Sequence, residues 1–137
     1  MIQQQTVSLD DARRIIAAGE EKARDIGQPM NIAVVDDGGN LVAFAHMDGS
    51  WKGSVDIAVN KAFTSAMFTI PTKALTKKAQ PGEAFYGIHV SNHGRVMIFA
   101  GGIPLKRGGQ VVGAIGVSGG LGKQDQAVAE AGAAAFS

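Results

Sequence analysis

The sequence predicts an α+β domain in which helices flank an antiparallel five-stranded sheet. Helical patterns open and close the 137-residue chain, and a third lies between two groups of strands. The strand-like runs are separated by short turns that contain glycine, and strands joined by such turns pair antiparallel. The predicted order is therefore α-β-β-α-β-β-β-α, within a single domain over residues 1–137.

The composition excludes several classes of protein and partner. Thirteen basic and 12 acidic residues give a net charge of +1, so the chain lacks the basic surface typical of nucleic-acid binders. With no cysteine, it has neither a disulfide framework nor a thiolate metal site. No apolar run spans a bilayer and no signal peptide is visible, so we expect a cytoplasmic protein without a membrane partner.

The first helix is predicted over residues 8–26. Ser8 is a favourable N-cap, and Asp11, three residues later, completes a capping pattern. Apolar residues then recur at spacings of three and four, which predicts one face directed at the core. Gly27 suits the C-terminal end of the helix.

A β-hairpin should follow, with its turn at residues 36–40. Residues 32–35 are all apolar, and the turn is Asp-Asp-Gly-Gly-Asn, a sequence that tolerates positive φ. In the second strand, alternation predicts two sets of side chains on opposite faces: Leu41, Ala43, Ala45 and Met47 on one; Val42, Phe44, His46 and Asp48 on the other. The second face changes from apolar to ionisable, as expected where a strand ends beside a binding site.

The rest of the chain is predicted to contain a helix, three strands and a final helix. The second helix begins with Ser54 as N-cap and ends near Phe68, and Thr72 caps a short turn after it. The strands are residues 96–100, 103–106 and 111–117, and Pro104 indicates that the middle one lies at a sheet edge or is very short. An alanine-rich helix over about residues 124–135 closes the domain.

A glycine-rich loop, residues 113–122, connects the last strand to the last helix. Its backbone N–H groups and the positive end of the helix dipole suit a carboxylate or phosphate, with Ser118, Gly119 and Gly120 as the binding residues. The alternative is a tight corner that needs glycine only for its geometry. The glycine spacing matches neither a dinucleotide-binding fingerprint nor a P-loop.

Three side chains are further candidates for the binding site. Lys61 has apolar neighbours at helical spacing and can present a charge to an anion, or it can be an ordinary surface lysine. His46 and Asp48 share a strand face and can act as acid and base, or simply form hydrogen bonds. We expect all three to converge with the glycine loop on one cleft. His89 and His93 do not form a convincing metal pair, so no metal site is predicted.

Several stretches together resemble the GlcG/HbpS family, also called the haem-degrading domain, which includes the C-terminal domain of PduO proteins. They are residues 35–49 (Val-Asp-Asp-Gly-Gly-Asn-Leu-Val-Ala-Phe-Ala-His-Met-Asp-Gly), 54–64, 113–120 and 125–132, in the family's order. The resemblance implies a profilin-like fold, a homo-oligomer, and haem as a family ligand. The sequence departs from the family in two places. Helix 8–26 lacks the histidine ligand of PduO-type members, and His46 stands where many relatives have arginine.

The sequence and the resemblance together predict a small oligomeric binding protein for a carboxylate-bearing cofactor or metabolite. Haem or another tetrapyrrole is one candidate within this class of small anionic molecules, because haem is the best-known ligand of the family. Two alternatives stay open: an enzyme acting on a hydroxy or carbonyl metabolite through His46 or Lys61, and a structural accessory of a metabolic complex. The predicted ligand-binding residues are His46, Asp48, Lys61, Ser118, Gly119 and Gly120.

Overall fold

The computed structural model describes residues 1–136, which form an antiparallel four-stranded sheet with helices on both faces. The strands lie in the order β2-β1-β4-β3. The elements in chain order are α1 (Leu9–Ile26), β1 (Asn31–Asp36), β2 (Leu41–His46), α2 (Ser54–Phe68), α3 (Ser91–Gly94), β3 (Gly102–Arg107), β4 (Gln110–Ser118) and α4 (Gly122–Ala134). Short 3-10 turns occupy Thr72–Leu75 and Ile88–Val90.

Helix α1 begins and ends as its sequence predicts. The Ser8 hydroxyl accepts a hydrogen bond from the backbone N–H of Asp11, and the Ser8 N–H donates to the Asp11 carboxylate, both at 3.0 Å. These two bonds satisfy donors that a helix start otherwise leaves unpaired. At the other end Gly27 has φ 70°, the left-handed conformation that glycine adopts without a steric cost.

The predicted hairpin forms from β1 and β2, which pair antiparallel. The Asp36 carboxylate accepts hydrogen bonds from the backbone N–H groups of Gly38 and Asn40, both at 2.9 Å, and these bonds hold the turn closed. The strict alternation of faces is wrong at one position. A bulge shifts the register between Val34 and Val35, and Val42 packs against the same core as Ala43.

The sheet separates two apolar layers. Helices α1 and α4 cover one face, where Ile15 and Val128 pack with Ile115 of β4. Helix α2 covers the other face, where its alanines, among them Ala58 and Ala62, meet small residues of β1 and β4. Gly116 permits this close approach, because a Cβ at that position would clash with the backbone of α2. The helix therefore lies directly on the centre of the sheet.

The prediction of a fifth strand over residues 96–100 is wrong. Among the described residues this segment has no strand partner, and side chains pair with two of its backbone polar groups instead. The N–H of Met97 donates to the Thr64 hydroxyl at 3.0 Å, and the Thr76 hydroxyl donates to the carbonyl of Ile98 at 2.7 Å. An apolar run whose backbone groups are paired in this way has no need to join a sheet.

Other local predictions have mixed outcomes. Pro104 lies in β3, which is an edge strand as predicted. Gly53, not Ser54, occupies the N-cap position of α2. The Thr72 hydroxyl does not cap its turn but accepts a hydrogen bond from the N–H of Gly102 at 2.9 Å.

Within residues 1–136, no helix has both the length and the apolar character needed to cross a membrane. The profilin-like classification stays a prediction.

Candidate functional site

Lys61 lies inside the protein, between α2 and the sheet. Its side chain is fully buried, with 0% exposure, although the sequence predicts a lysine that faces a ligand. The ammonium donates to the Asp125 carboxylate at 2.9 Å and to the carbonyl of Val117 at 2.8 Å, and it lies 4.9 Å from the centre of the Phe99 ring. The charge of Lys61 is therefore neutralised by the chain itself.

The carboxylate of Asp125 joins this ion pair to the glycine loop. One oxygen accepts from Lys61, while the other accepts from the backbone N–H of Gly120 at 2.9 Å. Burial lowers the pKa of Lys61 and raises the pKa of Asp125, while the charge of each partner opposes that shift. The sequence suggests that the carboxylate or phosphate of a ligand binds at this loop. In the structure the carboxylate of Asp125, which belongs to the chain itself, occupies that position.

A second loop donor is also satisfied internally. The N–H of Leu121 donates to the Gln124 side chain at 2.8 Å, which completes the N-terminal cap of α4. Ser118 is buried at the end of β4, paired with Asn31 of β1. These contacts favour the structural alternative for the loop, a tight corner between strand and helix. Anion binding by Ser118, Gly119 and Gly120 stays a prediction.

His46 belongs to a polar network at the end of β2. Its Nδ1 lies 2.6 Å from the side-chain oxygen of Asn31 and 2.7 Å from the hydroxyl of Ser50. Asn31 is fully buried, and its amide nitrogen donates to the carbonyl of Trp51 at 2.8 Å. Strand pairing places Asn31 between His46 and Ser118, so this network and the glycine loop lie at the same end of the sheet.

Four of the six predicted site residues line two clefts at this end, and Ser118 lines neither of them. The imidazole cleft has a volume of about 340 Å³ and is lined by Glu20, Arg24, His46, Met47 and Asp48. The glycine-loop cleft has a volume of about 220 Å³ and is lined by Gln28, Trp51, Gly119, Gly120, Leu121 and Gln124. The buried Lys61 lines neither cleft. The expectation that Lys61 shares one cleft with His46, Asp48 and the loop is therefore corrected, while ligand binding by the other predicted residues stays a prediction.

Three residues that shape these clefts are not among the candidates that the sequence pattern predicts. Asn31 and Ser50 orient His46, and Trp51, with 69% exposure, forms one side of the glycine-loop cleft. One signal was available in the sequence. Asn31 is an amide placed directly before the apolar run 32–35, and a buried amide in such a place needs partners for its hydrogen bonds.

Comparison with known proteins identifies the family. A model described as "Haem degrading protein HbpS-like" matches residues 7–134, which is nearly the whole chain. The chain belongs to the HbpS-like family. This confirms the resemblance inferred from the sequence motifs.

Individual relatives agree with the family match. The chain is 40% identical over 132 residues to a 15.0 kDa protein in the dhaT-dhaS intergenic region of Citrobacter freundii, covering 96% of this chain and 93% of that protein. The crystal structure of Klebsiella pneumoniae ORFY is 39% identical with a TM-score of 0.97, covering 99% and 94% of the two chains. The crystal structure of a PduOC:Heme complex is 32% identical with a TM-score of 0.91, covering 95% and 94%.

Proposed function

We propose that this protein binds haem, or another tetrapyrrole with carboxylate groups, at the end of the sheet where β1 begins. The observation that carries the proposal is the similarity in fold and sequence to a protein crystallised with haem. The HbpS-like family description points to the same ligand. When bound, haem would supply an iron centre that the amino acids alone do not provide.

The residues around the two clefts fit such a ligand. Haem iron takes histidine, methionine, cysteine or tyrosine ligands, and the imidazole cleft contains both His46 and Met47. Arg24 in the same cleft can pair with a propionate. In the neighbouring cleft the exposed side chains of Trp51 and Leu121 offer apolar surface to a macrocycle. These donors and surfaces complement the iron, the carboxylates and the ring.

Titration with haemin tests the proposal directly. We expect a saturable shift of the Soret band at micromolar haemin, with a fixed stoichiometry per chain. A linear, non-saturating change would indicate adsorption to apolar surface and would contradict the proposal, as would no change at all.

Two arginines of α1 provide a matched pair of variants. Arg24 lines the imidazole cleft, whereas Arg13 is exposed elsewhere on the same helix. Loss of a charge-assisted hydrogen bond to a propionate costs about 1.5–3 kcal/mol. Arg24→Ala should therefore weaken haemin binding by roughly ten- to a hundredfold. Arg13→Ala should leave it unchanged, and equal effects of the two variants would place the ligand elsewhere.

We also propose that the protein is a homo-oligomer. Strand β2 is an edge of the sheet, and an unpaired edge is a template for association. Apolar side chains are exposed in another region, including Tyr86 with 60% and Val90 with 71% exposure. Light scattering should give a mass at least twice the 14.1 kDa of one chain. A monomer mass at micromolar concentration would refute this part of the proposal.

A further inference from the structure

We infer that His46 is the axial ligand of the haem iron, through its Nε2 atom. This inference rests on the proposed haem-binding function and goes beyond it, because that function does not require any particular ligand. It depends on the hydrogen bonds that fix the imidazole ring, on the position of the ring, and on a comparison with the other two histidines.

The hydrogen bonds around Asn31 determine which atom faces His46. The carbonyl of Trp51 can only accept, so the Asn31 atom 2.8 Å from it must be the amide nitrogen. The side-chain oxygen of Asn31 therefore points to His46, at 2.6 Å from Nδ1. Because that oxygen is an acceptor, Nδ1 must carry the proton.

Ser50 leads to the same assignment. Its hydroxyl lies 2.7 Å from the carbonyl of Met47 and 3.3 Å from the side-chain oxygen of Asn31, both of which can only accept, so its single proton is directed at one of these two oxygens. Ser50 then offers a lone pair to Nδ1 of His46, 2.7 Å away. With Nδ1 protonated, the neutral imidazole carries its free lone pair on Nε2. A metal-binding histidine is held in this way, by hydrogen bonds to its other ring nitrogen.

The ring is also accessible to a large ligand. His46 is exposed at the end of β2 and lines the imidazole cleft, together with the guanidinium of Arg24 and the carboxylates of Glu20 and Asp48. Among the described residues, no three histidine, aspartate or glutamate side chains are placed so that they could hold a metal ion together, and Glu20, His46 and Asp48 are no exception, so the cleft does not suit a bare metal ion. Haem brings four nitrogen ligands of its own and needs only an axial one from the protein.

The other two histidines lack this arrangement. His89 has a buried Nδ1 with no hydrogen-bond partner, and its ring packs edge-on against Tyr86 at 5.8 Å between centres. His93 has a left-handed backbone, with φ 57°, in the short α3 segment. Neither makes a side-chain hydrogen bond among the described residues that would orient its ring as Asn31 and Ser50 orient His46. These residues therefore serve as controls.

The experiment compares haemin complexes of the wild type and of His46→Ala, His89→Ala and His93→Ala. Absorption, electron paramagnetic resonance and resonance Raman spectra report the axial ligand. We expect an imidazole-ligated iron in the wild type and in both controls. His46→Ala should lose that signature and bind haemin at least about tenfold more weakly, and added imidazole should restore the spectrum. Circular dichroism checks that each variant is folded.

The outcomes separate the inference from the function on which it rests. If the wild type does not bind haemin, the proposed function fails, and the inference fails with it. If the wild type binds haemin but His46→Ala keeps the wild-type spectrum and affinity, the ligand assignment is overturned while haem binding stands. Ser50→Ala supplies a second readout. It should broaden or shift the iron–imidazole signals without removing them, because it loosens the ring and keeps the ligand.

Discussion

Replacing Lys61 with methionine tests whether the buried ion pair serves the fold or a ligand. The two side chains have similar length, so the substitution removes the ammonium and leaves most of the packing. In the variant the Asp125 carboxylate stays buried and keeps the hydrogen bond from Gly120, but it loses the cationic partner that Lys61 provides. The carbonyl of Val117 loses a donor as well.

The expected cost is large for a single substitution. Removing one partner of a buried ion pair destabilises a protein by about 3–5 kcal/mol, because the remaining charge has no compensation. The unfolding entropy of a domain of this size is about 0.29 kcal/mol/K, from roughly 2.1 cal/mol/K per residue. The melting temperature of Lys61→Met should therefore fall by about 10–17 °C.

A double-mutant cycle provides the sharpest assay. Asp125→Asn keeps an oxygen that can accept from Gly120 but removes the negative charge. The double variant should be destabilised by less than the sum of the single variants, since it leaves no unpaired charge in the interior. Urea denaturation followed by circular dichroism gives the three free energies of unfolding. Strictly additive effects, or a loss below about 1 kcal/mol for Lys61→Met, would refute the reasoning.

Two further predictions concern other parts of the fold. Gly116→Ala should lower the free energy of unfolding by about 3 kcal/mol or more in urea denaturation, because the Cβ of the alanine would clash with the α2 backbone. A free energy equal to that of the wild type within experimental error would contradict the close packing of α2 on the sheet. Ser8→Ala should lower the free energy of unfolding by about 1 kcal/mol in urea denaturation through loss of the N-cap, and an unchanged free energy would contradict this role of Ser8. The backbone N–H and hydroxyl of Ser8 also lower the pKa of Asp11 below 3.8, so this stabilisation is present above pH 3.8 and is lost as the pH falls through the lowered pKa. An acid titration of the free energy of unfolding should show a smaller loss in Ser8→Ala than in the wild type.

The sequence predicted elements whose determinants are close together in the chain. The cap of α1 requires Ser8 and Asp11, three residues apart, and the hairpin turn requires Asp36 and Asn40. Periodicity predicted α1, alanine content predicted α4, and the motifs identified the family. Such features depend on local conformational preference, which a linear pattern records.

Tertiary structure decided the features that depend on distant partners. Residues 96–100 have the composition of a strand, but Thr64 and Thr76 bond to the backbone of Met97 and Ile98, and the sheet has four strands. Lys61 has the same helical neighbours whether it faces solvent or the interior. Its role was set by Asp125, 64 residues away, whose carboxylate makes burial of the ammonium possible. His46 is recognisable as a candidate from the sequence, but the orientation of its ring depends on Asn31, 15 residues earlier and on another strand. A sequence shows which chemical groups are available, and only the folded chain determines which of them are already paired and which remain open to a ligand.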